Sequence, residues 1–177
     1  MHPTDTPRFD PVARLMHWTM AAMLVVMVGL GFYAISLTYY DPLYHRSVFW
    51  HRSLGVLSLG VWLIRISWRL THPAPPLPDM PMWEQKSAMA THLALYLLMA
   101  LLPVTGYLLS TADGRGVSVF GWFEFPALLP AAKGREEWSG TAHLVLALGF
   151  CGLVTLHLLA ALKHHFIDRD GLLRRMW

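Results

Sequence analysis

Residues 138–162 read WSGTAHLVLALGFCGLVTLHLLAAL, a stretch of 25 residues without an acidic or basic side chain. A helix of about 20 apolar residues crosses the hydrocarbon core of a bilayer, so this stretch is long enough to span a membrane. Two further stretches, 15–40 and 87–112, are equally free of charge over 26 residues each. Each of the three therefore predicts a transmembrane helix.

A fourth apolar segment, 47–68, contains Arg52 and Arg65 near its ends, where long arginine stems can carry the charge to the headgroups. Of the 177 residues, 55% are hydrophobic and only 14% are charged, whereas soluble domains have about 25% charged residues. We predict an all-α, integral membrane four-helix bundle that forms a single domain over 1–177. Its helices are expected at about 15–38, 47–69, 86–110 and 138–165.

Lysine and arginine residues are distributed unevenly between the two predicted sides of the membrane. With the N-terminus inside, nine lie on the inner side and five on the outer side. Because these residues are enriched on the cytoplasmic side, we expect both termini to be cytoplasmic. The stretch 1–11 has mixed charges and no cleavage signature, so we expect the first helix to be retained.

Two connecting segments differ strongly in composition. Segment 72–82, HPAPPLPDMPM, holds five prolines and predicts an extended linker between the second and third helices. Loop 113–137 contains an aromatic cluster at 119–123, followed by Pro126. This loop predicts a lid or a short interfacial helix at the membrane surface.

The chain contains ten histidines, many for a sequence with so few ionisable groups. Ionisable side chains inside a bilayer are costly and are candidates for function. Five histidines fall within the predicted helices: His17, His51, His92, His143 and His157.

His143 and His157 lie fourteen residues apart on the fourth helix. Fourteen residues make nearly four turns, so both rings leave the same helix face, separated by ~21 Å along the axis. They are too far apart to share a metal ion, whose ligands lie ~2 Å from it. Each could instead bind its own haem iron.

Partners for this pair are expected at matching depths in the membrane. Depth pairs His17 with His157 on the inner side and His51 with His143 on the outer side, and bis-histidine haem sites in helix bundles serve electron transfer. His92 lies at the same depth as His17 and His157, so depth alone does not decide which two of the three bind iron. Covalent c-type attachment is excluded because the chain has no C-x-x-C-H sequence.

Two glycines follow the same spacing as the histidine pair. Gly31 is fourteen residues after His17, and Gly106 is fourteen after His92, so each shares its histidine's helix face at the outer level. They could give a porphyrin room beside the backbone, or they could serve ordinary close packing between helices.

Several sequence motifs together resemble the prokaryotic cytochrome b561 family. They are RLMHW (14–18), HRSLG (51–55), RISWRLTHPAPPLP (65–78), HLALYLLMALLPVTGYLLSTADG (92–114), AHLVLALGF (142–150) and LHLLAALKHHFIDRDGLLRRM (156–176). The loops TYYDPLYHR (38–46) and GVSVFGWFEFPALL (116–129) are most similar to a branch of the family that is sister to the superoxide oxidases.

This resemblance implies a bacterial inner-membrane protein with two non-covalent b haems, and it favours His17 over His92 as an iron ligand. The implied ligands are His17, His51, His143 and His157. It also implies ubiquinone as the electron acceptor, hence a quinone-linked electron-transfer oxidoreductase, with superoxide as a candidate donor. The alternative is a cytochrome b relay that exchanges electrons with a separate periplasmic protein.

Other polar residues are candidate contacts for haem propionates or quinone: His92, Lys163, His164, His165 and Arg52. Arg65 and Arg69 could pair with inner propionates or simply anchor the helix at the interface. On the outer side, Arg52 with Arg115, Lys133 and Arg135 could attract an anion, although nearby acidic residues weaken that field. We expect membrane lipid and quinone as partners, and no nucleic acid.

Overall fold

The computed structural model describes residues 7–77 and 80–177. In these residues the chain forms four long helices: α1 (Pro11–Ser36), α2 (Pro42–Thr71), α3 (Met82–Ser110) and α4 (Arg135–Lys163). All four are long and apolar enough to cross a membrane, which confirms the predicted all-α four-helix membrane protein. The N-terminal stretch 1–6, with His2, and positions 78–79 of the predicted linker lie outside the described residues.

Helices α1 and α2 begin at Pro11 and Pro42, earlier than the predicted starts at about 15 and 47. An Asp-Pro pair starts each of them. The Asp10 carboxylate accepts a hydrogen bond from the Ala13 amide at 2.9 Å, and Pro11 occupies the first turn. At the start of α2 the Asp41 carboxylate accepts a hydrogen bond from the Leu43 amide at 2.8 Å, and Pro42 occupies the first turn. Aspartate at the N-cap and proline at the first helical position are strong start signals, since they satisfy or remove unpaired amides.

The four helices are arranged as two helical hairpins, with α1 packed along α2, α3 packed along α4, and α2 against α3. The described N- and C-terminal segments meet at one end of the bundle, where the Phe9 amide donates to the Arg175 carbonyl at 3.1 Å. Arg175 is buried there and donates to the carbonyls of Pro7 and Pro75. We call this the terminal end, and the opposite one the hairpin end.

A small apolar core lies between the two ends. Met20, Met99 and Phe150 are buried together in this core. Phe150 is seven residues from both His143 and His157, so the core separates the two histidine levels. The outward faces expose large apolar side chains such as Val25 and Leu93, as expected for helices in contact with lipid.

The loop between α3 and α4 forms a short antiparallel β-hairpin, β1 (Val117–Val119) with β2 (Phe123–Phe125). The prediction of an interfacial helix in this loop was therefore wrong. The turn holds Phe120 and Gly121 at positive φ, and the Trp122 amide donates to the Val119 carbonyl. Two consecutive residues at positive φ favour a tight hairpin turn and are incompatible with a right-handed helix.

After α4 the chain continues as one π-helical turn, His164–Asp168, and then a 3-10 turn, Leu173–Met176. The π-helical turn shifts the side chains of His164 and His165 from the positions that a continued α-helix would give them. It also brings Asp168 back toward Lys163, with 2.7 Å between Oδ2 and Nζ.

Candidate functional site: two levels of histidine

At the hairpin end, His51 of α2 faces His143 of α4. Their ring centres lie 6.1 Å apart, and the ring planes are nearly perpendicular at 85°. Two imidazoles that bind opposite sides of one metal ion, each ~2 Å from it, place their ring centres roughly 6 Å apart. The two rings that the depth argument paired therefore lie at a spacing that two histidine ligands of one metal ion could have.

The Nδ1 atoms of this pair face backbone carbonyls on the partner helices. His51 Nδ1 lies 3.0 Å from the Met27 carbonyl oxygen of α1, and His143 Nδ1 lies 3.1 Å from the Leu102 carbonyl oxygen of α3. A carbonyl only accepts hydrogen bonds, so in both rings Nδ1 carries the hydrogen and donates it. This tautomer leaves the lone pair of Nε2 available to a metal.

At the level near the terminal end, His92 of α3 lies beside His157 of α4, with 5.4 Å between the ring centres. His17 of α1 belongs to the same level, but its Nδ1 lies 3.2 Å from Nη2 of Arg65. A guanidinium only donates, so this nitrogen of His17 is the acceptor, and a neutral ring then carries its hydrogen on Nε2. The structure thus places His92 beside His157 and turns His17 toward Arg65.

Arg65 lies within the bundle, where it also donates to the Tyr96 hydroxyl at 3.3 Å and to the Met16 carbonyl at 3.5 Å. The interpretation of Arg65 as a simple interface anchor does not account for these contacts. The unbroken helix α4 connects the two levels, since His143 and His157 both lie within Arg135–Lys163. At 1.5 Å per residue, fourteen residues separate them by ~21 Å.

Comparison with known sequences agrees with this arrangement. A family profile described as prokaryotic cytochrome b561 matches residues 8–177. The chain belongs to this family. It is therefore a membrane electron-transfer protein, and the family and the four spans make it a multi-pass protein of the inner membrane.

Several relatives align over nearly the whole cytochrome b561 chain. The chain is 42% identical to Cytochrome b561 homolog 2 of Escherichia coli K12 over 175 residues, covering 98% of this chain and 93% of the relative. It is 25% identical to Cytochrome b561 homolog 1 of the same organism over 96% of each chain. It is 28% identical to a Yersinia pestis protein named probable superoxide oxidase CybB, over 90% of each.

Family membership implies b-type haem, and the residues at the hairpin end fit this group. His51 and His143 would hold its iron from two sides, since their ring centres lie 6.1 Å apart and their hydrogen-bonded Nδ1 atoms leave Nε2 free to coordinate. The other level contains three further histidines, His17, His92 and His157. Cys151 is the chain's only cysteine, in keeping with a haem held by coordination alone.

The cationic residues predicted near the inner haem make other contacts in this cytochrome b561. Lys163 Nζ lies 2.9 Å from a Glu84 oxygen and 2.7 Å from an Asp168 oxygen. His164 Nδ1 lies 2.6 Å from Asp170, and the His165 ring packs edge-on against Phe166. Lys163 and His164 are thus paired with carboxylates, whereas Arg52, next to His51, is exposed to solvent or lipid headgroups.

Sequence reasoning missed three features of the site. The first is the pair of backbone carbonyls that orient His51 and His143; a glycine four residues after each carbonyl is the only sequence signal for them. The second is Thr105, whose hydroxyl lies 3.1 Å from His143 Nδ1. The third is Ser53, fully buried, whose hydroxyl oxygen accepts from the Phe120 amide and so ties the β-hairpin to α2.

Proposed function

We propose that this cytochrome b561 binds two b haems and passes electrons across the inner membrane, from a donor at the hairpin end to ubiquinone at the terminal end. The observation that supports it best is the His51–His143 pair, with ring centres 6.1 Å apart and both Nδ1 atoms bonded to carbonyls. A second group of histidines lies at the level of His157, which is fourteen residues further along α4 than His143. A haem held in such a site gains or loses one electron by changing the oxidation state of its iron.

At the terminal end, His17 and His157 are the proposed ligands, and His92 is the proposed hydrogen-bonding neighbour. The RLMHW motif around His17 supports this assignment. To bind iron through Nε2, His17 must turn its ring away from Arg65, because its present contact puts the hydrogen on Nε2. The opposite assignment, with His92 as ligand, follows if replacing His92 removes a haem.

An apolar layer of the protein separates the two histidine levels. Met20, Met99 and Phe150 fill the space between the levels with apolar side chains. Such a layer excludes water from the path between them and fixes the helices that carry the ligands. The distribution of lysine and arginine, nine against five, places the terminal end in the cytoplasm and the hairpin end in the periplasm.

A quinone head needs a hydrogen-bond donor that can be reached from the bilayer. We take His92 as this donor, because its ring centre lies 5.4 Å from that of His157 and residue 92 keeps accessible surface on α3. Lys163 and His164 are held by carboxylates and are less available. We therefore place the quinone beside the terminal-end haem, with His92 as its donor.

The electron donor is proposed to be a small periplasmic species such as superoxide. The alignment with the protein named probable superoxide oxidase supports this choice. The outer cations offer an anion only limited attraction, since Arg135 is buried against backbone carbonyls. Arg115 is paired with Asp113 at 2.6 Å, and the amide and guanidinium of Arg115 hold the pKa of that carboxyl below its ordinary value.

The first test is the haem content of the purified protein. We expect two haems per chain, all removed by acid-acetone extraction, in a pyridine haemochrome assay. Replacing His143 by alanine should remove the hairpin-end haem and leave the spectrum of the other largely unchanged, because the levels are ~21 Å apart and share no ligand. A single haem per wild-type chain would refute the pairing of four histidines into two sites.

The second test identifies the donor and the direction of flow. In stopped-flow experiments, the oxidised protein is mixed separately with superoxide and with quinol, and haem reduction is followed in the Soret band. Faster reduction by superoxide, followed by reoxidation with quinone, supports the proposed direction. Reduction by quinol alone would favour the alternative, a relay that delivers electrons to a separate periplasmic protein.

A further inference from the structure

Gly31 of α1 and Gly106 of α3 occupy equivalent places in the two helical hairpins. Gly31 lies four residues after Met27, and Gly106 lies four residues after Leu102. Met27 and Leu102 are the residues whose carbonyls face the Nδ1 atoms of the hairpin-end histidines. In an α-helix the carbonyl of a residue points toward the residue four positions later, so each glycine stands beside the carbonyl in question.

Both glycines face an imidazole ring so closely that little room is left for a Cβ atom. A Cβ atom at Gly31 would lie 3.3 Å from His51 Cε1, and a Cβ at Gly106 would lie 3.1 Å from His143 Cε1 and 3.3 Å from its Nδ1. These separations are shorter than an ordinary carbon–carbon contact of about 3.5–4 Å. A side chain at either position would therefore displace the ring by a few tenths of an ångström and disturb its hydrogen bond to the carbonyl.

Other glycines in the helices show that this contact is particular to the two positions. A Cβ added at Gly29, on α1, or at Gly149, on α4, would meet nothing within 4 Å. At Gly55 it would make only an ordinary contact with Met27, at 3.7 Å. General closeness of the helices therefore does not explain why Gly31 and Gly106 lie against the rings.

We infer that Gly31 and Gly106 are positioning residues that seat the two axial histidines of the hairpin-end haem. Each glycine lets an imidazole lie flat enough on the neighbouring helix for its Nδ1–H to reach a main-chain carbonyl. The hydrogen bond fixes the tautomer and the rotation of the ring, and it raises the basicity of the ligating Nε2. This inference rests on the proposed function, since it takes His51 and His143 as iron ligands.

Helix α3 places a second polar group beside its histidine, and the corresponding position of α1 does not. Thr105 precedes Gly106, and its hydroxyl lies 3.1 Å from His143 Nδ1, whereas Leu30 precedes Gly31 and offers no polar atom. His143 can therefore keep a hydrogen-bond acceptor when its ring is displaced from Leu102, but His51 cannot. The substitution Gly31→Ala should accordingly perturb the site more than Gly106→Ala does.

The test compares Gly31→Ala and Gly106→Ala with the matched control Gly29→Ala in the full-length, haem-loaded protein. Redox titration should show a more positive midpoint potential for the hairpin-end haem in both variants, since a ligand without its Nδ1 hydrogen bond donates less electron density. Affinity for that haem should fall roughly 10- to 100-fold. The terminal-end haem and the Gly29→Ala protein should keep wild-type values.

Electron paramagnetic resonance gives a readout that does not depend on activity. Nearly perpendicular imidazole planes, here at 85°, give low-spin ferric haem a strongly anisotropic signal. A displaced ring changes the angle between the planes, so this signal should shift in Gly31→Ala and Gly106→Ala only. Unchanged potentials and signals in both variants, with the haem bound, would overturn the positioning role.

If Gly31→Ala loses the haem completely, the double variant His51→Gly/Gly31→Ala with added imidazole decides the cause. Restored haem binding supports the inference, because a free imidazole can take a position that the tethered ring cannot. A site that stays empty overturns it and indicates that the methyl group obstructs the porphyrin itself. Wild-type protein without a hairpin-end haem would refute the proposed function, a result separate from both outcomes.

Discussion

Replacing His92 by phenylalanine removes an exposed imidazole beside His157 and keeps an aromatic ring of similar size. We expect reoxidation of the reduced haems by quinone to slow about tenfold, while both haems remain bound. The loss of one useful hydrogen bond to the quinone costs about 1.4 kcal/mol, which corresponds to this factor. Lys163 and His164 are held by carboxylates and should not replace the missing donor.

The assay mixes chemically reduced protein with a soluble ubiquinone analogue in a stopped-flow instrument and follows the Soret band. Leu93→Phe is the matched control, because Leu93 is the next residue on α3 and is 62% exposed. It places the same bulk on the lipid-facing surface without removing a polar group. Its reoxidation rate should equal that of the wild type.

Two results would contradict this reasoning in different ways. An unchanged reoxidation rate in His92→Phe, with both haems present, would move the quinone site to another place, most simply to the hairpin end beneath the aromatic residues 119–123. Loss of one haem would instead make His92 an iron ligand. The 5.4 Å between the ring centres of His92 and His157 would then be the contact of two ligands.

Two other side chains give further predictions. In Ser53→Ala the Phe120 amide loses its acceptor, the Ser53 hydroxyl oxygen at 3.0 Å. Leaving this amide unpaired should destabilise the attachment of the β-hairpin by about 1–3 kcal/mol, so hydrogen exchange of the hairpin amides should accelerate at least fivefold. Wild-type exchange rates would contradict the anchoring role. In Arg65→Met the terminal-end haem should show a lower midpoint potential, because a nearby positive charge stabilises the reduced state. Arg115→Met, which removes an exposed charge at the hairpin end, is the control, and an equal shift in both variants would refute a specific effect of Arg65.

The helices could be predicted from the sequence because length and hydropathy are local properties. The starts of α1 and α2 were also encoded locally, in Asp10–Pro11 and Asp41–Pro42. The predicted starts, at about 15 and 47, were too late because apolar runs take no account of helix capping. The level of each histidine was predicted from its position along its helix and the side on which that helix begins, and the structure brings His51 and His143 together.

The β-hairpin and the ring orientations could not be predicted in the same way. An aromatic loop suits an interfacial helix as well as a hairpin, and contacts distant in sequence favour the hairpin, including the one between Ser53 and Phe120, 67 residues apart. The acceptors of the histidine Nδ1 atoms are main-chain groups, which every residue possesses. Only their spacing to Gly31 and Gly106 distinguishes the carbonyls of Met27 and Leu102 from the others.

The surroundings of the two histidine levels differ in a way that bears on the direction of electron flow. At the hairpin end, carbonyl oxygens accept from Nδ1 of His51 and His143; if these histidines bind iron as proposed, the bonds would increase their electron donation and favour the oxidised state. At the terminal end, Arg65 is held among the helices by the Tyr96 hydroxyl and the Met16 carbonyl, and its positive charge would favour the reduced state of a haem bound there. Both effects lower the energy of an electron at the terminal end relative to the hairpin end. If two haems occupy these levels as proposed, transfer from a periplasmic donor toward quinone in the cytoplasmic leaflet would be the downhill direction.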